Sequence, residues 1–149
     1  MTGGLKPLAP EDVKYIAIHC SATHPGMDIG VTELDRMHRN RGFLKIGYHF
    51  VVRRNGQIEI GRPITERGAH VEDFNHCSIG ICMVGGVDAS KRMKPENNFT
   101  KAQFDSLGVL VSQLQLQFPK ATVQGHRDFP NVAKACPSFD VKDWLASRV

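Results

Sequence analysis

Two short strand-like runs, far apart in the chain, each end in a histidine. Tyr15-Ile16-Ala17-Ile18 leads into His19, and Ala121 to Gly125 leads into His126. In open α/β sheets, ligands gather at the carboxyl ends of the strands, so histidines delivered there from opposite ends of a sequence can converge. Ten residues after His126 comes Cys136, with Lys134 just before it. Two histidines and a cysteine suit an open zinc site, with a fourth position left for water. Taken singly, each histidine reads as a satisfied core or surface residue, and Cys136 as a small buried hydrophobe. A Cys/His nucleophilic hydrolase is the alternative chemistry, but it leaves one histidine without a task.

The rest of the chain supplies a sheet and its covering helices. Residues 1–12 read as a loose arm. Thr32, followed by Glu33 and Asp35, offers the N-cap of a short helix that runs to Arg41 and stops at Gly42. Ile46–Arg54 and Gln57–Ile60 flank Asn55-Gly56, a strong hairpin signal because both turn residues tolerate positive φ. Within the first of these runs, strand alternation sends Tyr48 and Phe50 one way and His49 the other. Ser78–Val84 reads as a central strand. Thr100 with Gln103 forms a capping box. Phe104, Leu107, Val111, Leu114 and Phe118 then give one stripe of a long helix ending before Pro119. Ser138 or Asp140 caps a last helix carrying Trp144. Interspersed strands and helices with one hairpin predict a single α/β domain over residues 13–149, a central mixed sheet flanked by helices.

Composition narrows the functional classes. A chain of 149 residues can bury a real core. No apolar stretch approaches the ~20 residues needed to span a bilayer, and the first ten residues lack a signal-peptide core. The four cysteines are irregularly spaced without a CxxC pair, which argues against disulfides and a closed four-cysteine metal site. Net charge is +4. Its basic residues are scattered, and the densest group, Arg36, Arg39 and Arg41, falls on one short helix with few aromatics nearby. Nucleic-acid binding is therefore not expected, whereas the charge suits approach to an anionic cell envelope.

Several segments, in order, resemble one family. They are Ile18-His19-Cys20-Ser21-Ala22-Thr23, Gly47-Tyr48-His49-Phe50, Asn75-His76-Cys77-Ser78-Ile79-Gly80, Val84-Gly85-Gly86 and Lys134-Ala135-Cys136-Pro137-Ser138-Phe139-Asp140. The chain resembles the zinc-dependent N-acetylmuramoyl-L-alanine amidases of the type 2 class, whose superfamily includes the peptidoglycan recognition proteins. The resemblance implies one Zn2+ held by His19, His126 and Cys136, catalytic roles for Tyr48 and Lys134, and positions near the substrate groove for His49, His70 and Asn75. It implies cleavage of the amide between the lactyl group of N-acetylmuramic acid and L-alanine in peptidoglycan. The chain would be a monomeric phage or prophage endolysin, made in the host cytoplasm and acting on the wall after release.

Two other functions follow from the same resemblance. Recognition members of the superfamily bind peptidoglycan without cutting it and tend to lose the cysteine ligand, which is present here. A phage member of the family also binds and inhibits a phage RNA polymerase, so that enzyme is a further expected partner. The chain departs from the phage members in a slightly longer His126–Cys136 loop, in Arg127 after His126, in Cys77, and in lacking tryptophans near Met37 and Phe43.

Overall fold

The computed structural model describes residues 6–148. The strands are β1 (Tyr15–Cys20), β2 (Phe50–Val52), β3 (Ile58–Ile60), β4 (Ser78–Met83) and β5 (Thr122–Gly125). They form a five-stranded sheet in the order β3-β2-β4-β1-β5. The β2–β3 hairpin is antiparallel and every other pairing is parallel. The expected mixed sheet is therefore present, and its parallel centre explains the near-continuous apolar reading of β1 and β4: both faces are covered.

Alternation along the central strands sorts the two faces. Ile16 and Ile18 of β1, with Ile79, Ile81 and Met83 of β4, pack against Leu107, Leu110, Val111 and Leu114 of α2 (Lys101–Gln117). The same cluster takes in Val141 of α3 (Val141–Ala146). On the opposite face, Cys82 and Val51 pack with Leu34 of α1 (Val31–Asn40), Ile29 and Ile46.

Local chemistry sets the element ends. Gly56 has φ +89° in the hairpin turn, as Asn55-Gly56 predicts. The N-cap of α1 is Gly30 rather than Thr32. The Gly30 amide donates to Glu33 at 2.7 Å and the Val31 amide to Glu59 at 2.8 Å, so two carboxylates replace the expected hydroxyl. Asp140 caps α3 through the Asp143 amide, while Ser138 donates to the Gly86 carbonyl instead.

Two further expectations need correction. Regular pairing in β2 starts only at Phe50, so alternation does not extend back to Tyr48. Phe50 packs on the α2 side and Tyr48 on the α1 side. Of the arm expected over residues 1–12, residues 1–5 lie outside the described residues. The remainder is not loose. Leu8 is 3% exposed within the α2 cluster, its amide donates to the Thr65 carbonyl at 2.8 Å, and the Arg67 amide donates to Lys6 at 2.8 Å. Burial of Leu8 and Val13 outweighs the loose, proline-rich character of the segment.

The capping box of α2 does more than cap. The Gln103 amide is fully buried; its Nε2 donates to the Val52 carbonyl at 3.1 Å and the Val84 carbonyl at 2.9 Å. Its Oε1 accepts from the Thr100 amide at 2.9 Å and from Arg54 at 3.1 Å. One side chain thus ties the start of α2 to the carboxyl ends of β2 and β4. Gln103→Leu strips these partners without changing volume much, and should lower stability by about 3 kcal/mol, read as a reduced urea midpoint at unchanged m-value.

Candidate active site

Strand register brings the histidines together. In the parallel β1–β5 pair, Ile18 faces Gly125, so the next residues, His19 and His126, sit side by side where β5 ends. Their ring centroids are 4.5 Å apart. His19 is 2% exposed on the face opposite α2, while His126 opens the 3-10 turn His126–Asp128. Asp128 accepts from the Gly125 amide at 2.9 Å and fixes that turn. The loop that follows returns to the sheet through the Arg127 amide, which donates to the Cys136 carbonyl at 2.9 Å. Phe129 anchors the loop in an apolar cluster with Ala17 and Val71.

This return places Cys136 over the end of β1, where its Sγ accepts from the Cys20 amide at 3.1 Å. One ligand atom from each of His19, His126 and Cys136 then lies within 4.8 Å of the others. The donors are nitrogen and sulfur, the set that zinc prefers, and three of them leave a fourth position toward the cleft. The residues fit that ion.

The electrostatics agree with the donor set. Burial, followed by the neighbouring His70, His126 and Lys134, holds His19 well below the usual histidine range. Burial, and then Lys134, also lower His126 from the usual histidine value, which favours the neutral ring that a metal ligand requires. The Cys136 thiol is pushed up, first by its contact with the Cys20 side chain and then by burial. A bound cation would favour its thiolate form.

The cluster sits in a cleft of about 590 Å³, whose wall includes Tyr48, Lys134 and His70. The Tyr48 ring is 5.2 Å from that of His19. Burial, and then the surrounding cysteines, push its phenol well above the usual tyrosine range, so it stays protonated. Lys134 is exposed and has no carboxylate partner among the described residues. Its charge is free for a ligand.

The three residues expected near the groove part company. Asn75 lines the cleft, and its Oδ1 accepts from the amides of His70 at 2.9 Å and Val71 at 3.0 Å. His70 also lines the cleft, with Nδ1 2.9 Å from His19 Nε2. His49 does not: it is fully buried behind the wall. Its Nδ1 accepts from the Gly80 amide at 2.9 Å, and its Nε2 is 2.7 Å from the Glu66 carbonyl.

Sequence reasoning missed His38. It lines the cleft, its ring lies 5.2 Å from that of Tyr48, and its Nδ1 accepts from the Gly47 amide at 2.8 Å. Asp35 accepts from the Ile46 amide at 2.8 Å. The end of α1 thereby holds the irregular segment that presents Tyr48. The available signal was helical spacing: His38 is four residues after Leu34, on the inward stripe of α1.

Comparison with known proteins bears on this geometry. Residues 9–139 match the family model described as N-acetylmuramoyl-L-alanine amidase. The chain is 44% identical over 134 residues to an endolysin of Klebsiella phage KP32, covering 90% of this chain and 86% of that one. It is 42% identical over 134 residues to the endolysin of Escherichia phage T7, with 90% and 86% covered. Among solved structures, the N-acetylmuramoyl-L-alanine amidase LysC from Clostridium intestinale superposes with a TM-score of 0.78 at 25% identity, covering 96% of this chain and 90% of that one. With His19, His126 and Cys136 converging inside the matched region, the chain belongs to the N-acetylmuramoyl-L-alanine amidase family and is an enzyme of that activity.

Proposed function

We propose that the chain is a zinc-dependent phage endolysin that cuts peptidoglycan between N-acetylmuramic acid and the L-alanine of the stem peptide. The observation that carries this reading is the convergence of the His19, His126 and Cys136 ligand atoms within 4.8 Å of one another. When bound there, zinc would polarise the amide carbonyl and make water nucleophilic near neutral pH.

The side chains around it have separate tasks. Lys134, with no carboxylate partner among the described residues, offers its ammonium to the carbonyl oxygen as negative charge develops there. Tyr48 keeps its proton on Oη, so it acts as a hydrogen-bond donor that orients the reacting groups and guides a proton toward the leaving amine. Asn75 spends its Oδ1 on the backbone at residues 70–71, which shapes the wall next to the ligands and leaves its NH2 as a donor to the peptide. His49 takes no part in binding substrate in this reading, because both its nitrogens are engaged within the fold.

The RNA polymerase contact implied by the family resemblance would use surface outside this cleft. Retention of the cognate polymerase by immobilised chain tests it independently of zinc, and no retention refutes it.

The catalytic reading is tested on purified peptidoglycan. Lys134→Ala should lower the rate of wall solubilisation by about two to three decades, with zinc content and thermal midpoint unchanged; wild-type activity in that variant would remove Lys134 from the mechanism. Cys136→Ser should bind zinc weakly and lose activity even with excess metal. Treatment of the wild type with a chelator should abolish solubilisation, and added zinc should restore it. Activity that survives complete metal removal would refute the zinc reading.

A further inference from the structure

A run of hydrogen bonds behind the ligand cluster has one consistent direction. The Ser78 hydroxyl lies 2.7 Å from the Phe74 carbonyl, which can only accept, so the hydroxyl proton is committed there. Ser78 Oγ is also 3.3 Å from His70 Nε2, and with its proton spent it accepts from that nitrogen. A neutral imidazole carries one ring hydrogen, so His70 Nδ1 is bare. That bare nitrogen is 2.9 Å from His19 Nε2. The bond requires the hydrogen to sit on His19 Nε2, which leaves His19 Nδ1 with its lone pair free.

The surroundings hold His70 to this task. The ring lies over β4 where no side chain stands: a Cβ on Gly80 would come within 2.7 Å of His70 Cδ2 and Cγ. A Cβ on Gly68 would come within 2.5 Å of the same Cδ2. The His49 ring meets it edge to face at 5.7 Å. Asn75 fixes the backbone at the His70 amide. Both ring nitrogens are thus occupied, which is why a role toward His19 suits His70 better than a direct hydrogen bond to substrate.

We propose that His70 is a positioning residue: the Phe74–Ser78–His70 relay sets the tautomer and ring orientation of His19, so that His19 presents Nδ1 to the metal. Metal-bound histidines commonly direct their second nitrogen to a carboxylate, carbonyl or water; here another histidine takes that place. The inference rests on the reading of His19 as a zinc ligand, but the relay itself is a property of the protein alone.

The test combines zinc affinity with imidazole nitrogen NMR on the full chain. His70→Asn keeps an acceptor near the Nδ1 position, whereas His70→Leu removes it. His70→Leu should weaken zinc binding about ten- to a hundredfold, measured by competition with a chelating dye, while His70→Asn stays much closer to wild type. Ser78→Ala, a smaller change, should weaken it less than His70→Leu. In the wild type, long-range proton–nitrogen spectra should show His19 protonated at Nε2, both before and after zinc is added. Protonation of His19 at Nδ1, equal losses in the Asn and Leu variants, or unchanged affinity in His70→Leu would each overturn the relay. Failure of the wild type to bind zinc would instead overturn the proposed function, and the His19 spectrum without metal would still decide the relay.

Discussion

Parallel pairing of β1 with β5 is the constraint on which the site depends. It aligns Ile18 with Gly125, and the residues that follow are the two histidines. A shift of either strand by one residue would turn its histidine toward α2 and the apolar core. Register is held by the side chains on the α2 face, Ile16, Ile18 and Val123, which pack with Leu110, Val111 and Leu114. The same burial that stabilises the sheet therefore fixes the spacing of the two candidate ligands.

The cleft then separates charge by environment. His19, His126 and Tyr48 are kept neutral by burial, whereas Lys134 remains exposed. In the proposed mechanism, a neutral donor set would bind a cation without first losing protons from its histidines, and the free ammonium beside it would answer negative charge arising on a substrate. Support for this arrangement comes from three separate elements. The end of α1 holds the Tyr48 segment through His38 and Asp35. The turn at Asp128 aims His126. The wall at Ser78, Gly80 and Asn75 seats His70 against His19.

Much of this was legible in the sequence because it is local. Asn55-Gly56 marks its hairpin, Thr100 and Gln103 mark the start of α2, and the apolar stripe ending at Phe118 marks its buried face. Helical cap and strand alternation failed where distant groups intervened. Glu59 from β3 helps cap α1 at Gly30, which no spacing around Thr32 reveals. The ladder begins at Phe50, so Tyr48 escapes the alternation that its neighbours suggest. His49 and His70 look alike as sequence positions near a groove, yet one is sealed behind Gly80 and the other opens on the cleft. That difference depends on a glycine three decades of residues from His49 in the chain, and becomes visible only once β2 and β4 are paired.

Mass spectrometry of purified peptidoglycan after digestion tests the central claim most directly, because it reads the bond broken. The account predicts intact glycan strands bearing free lactyl groups, together with released peptides that begin at L-alanine, and neither product from the Cys136→Ser variant. New reducing sugar ends, or peptides cut within the stem with L-alanine still attached to the glycan, would contradict it.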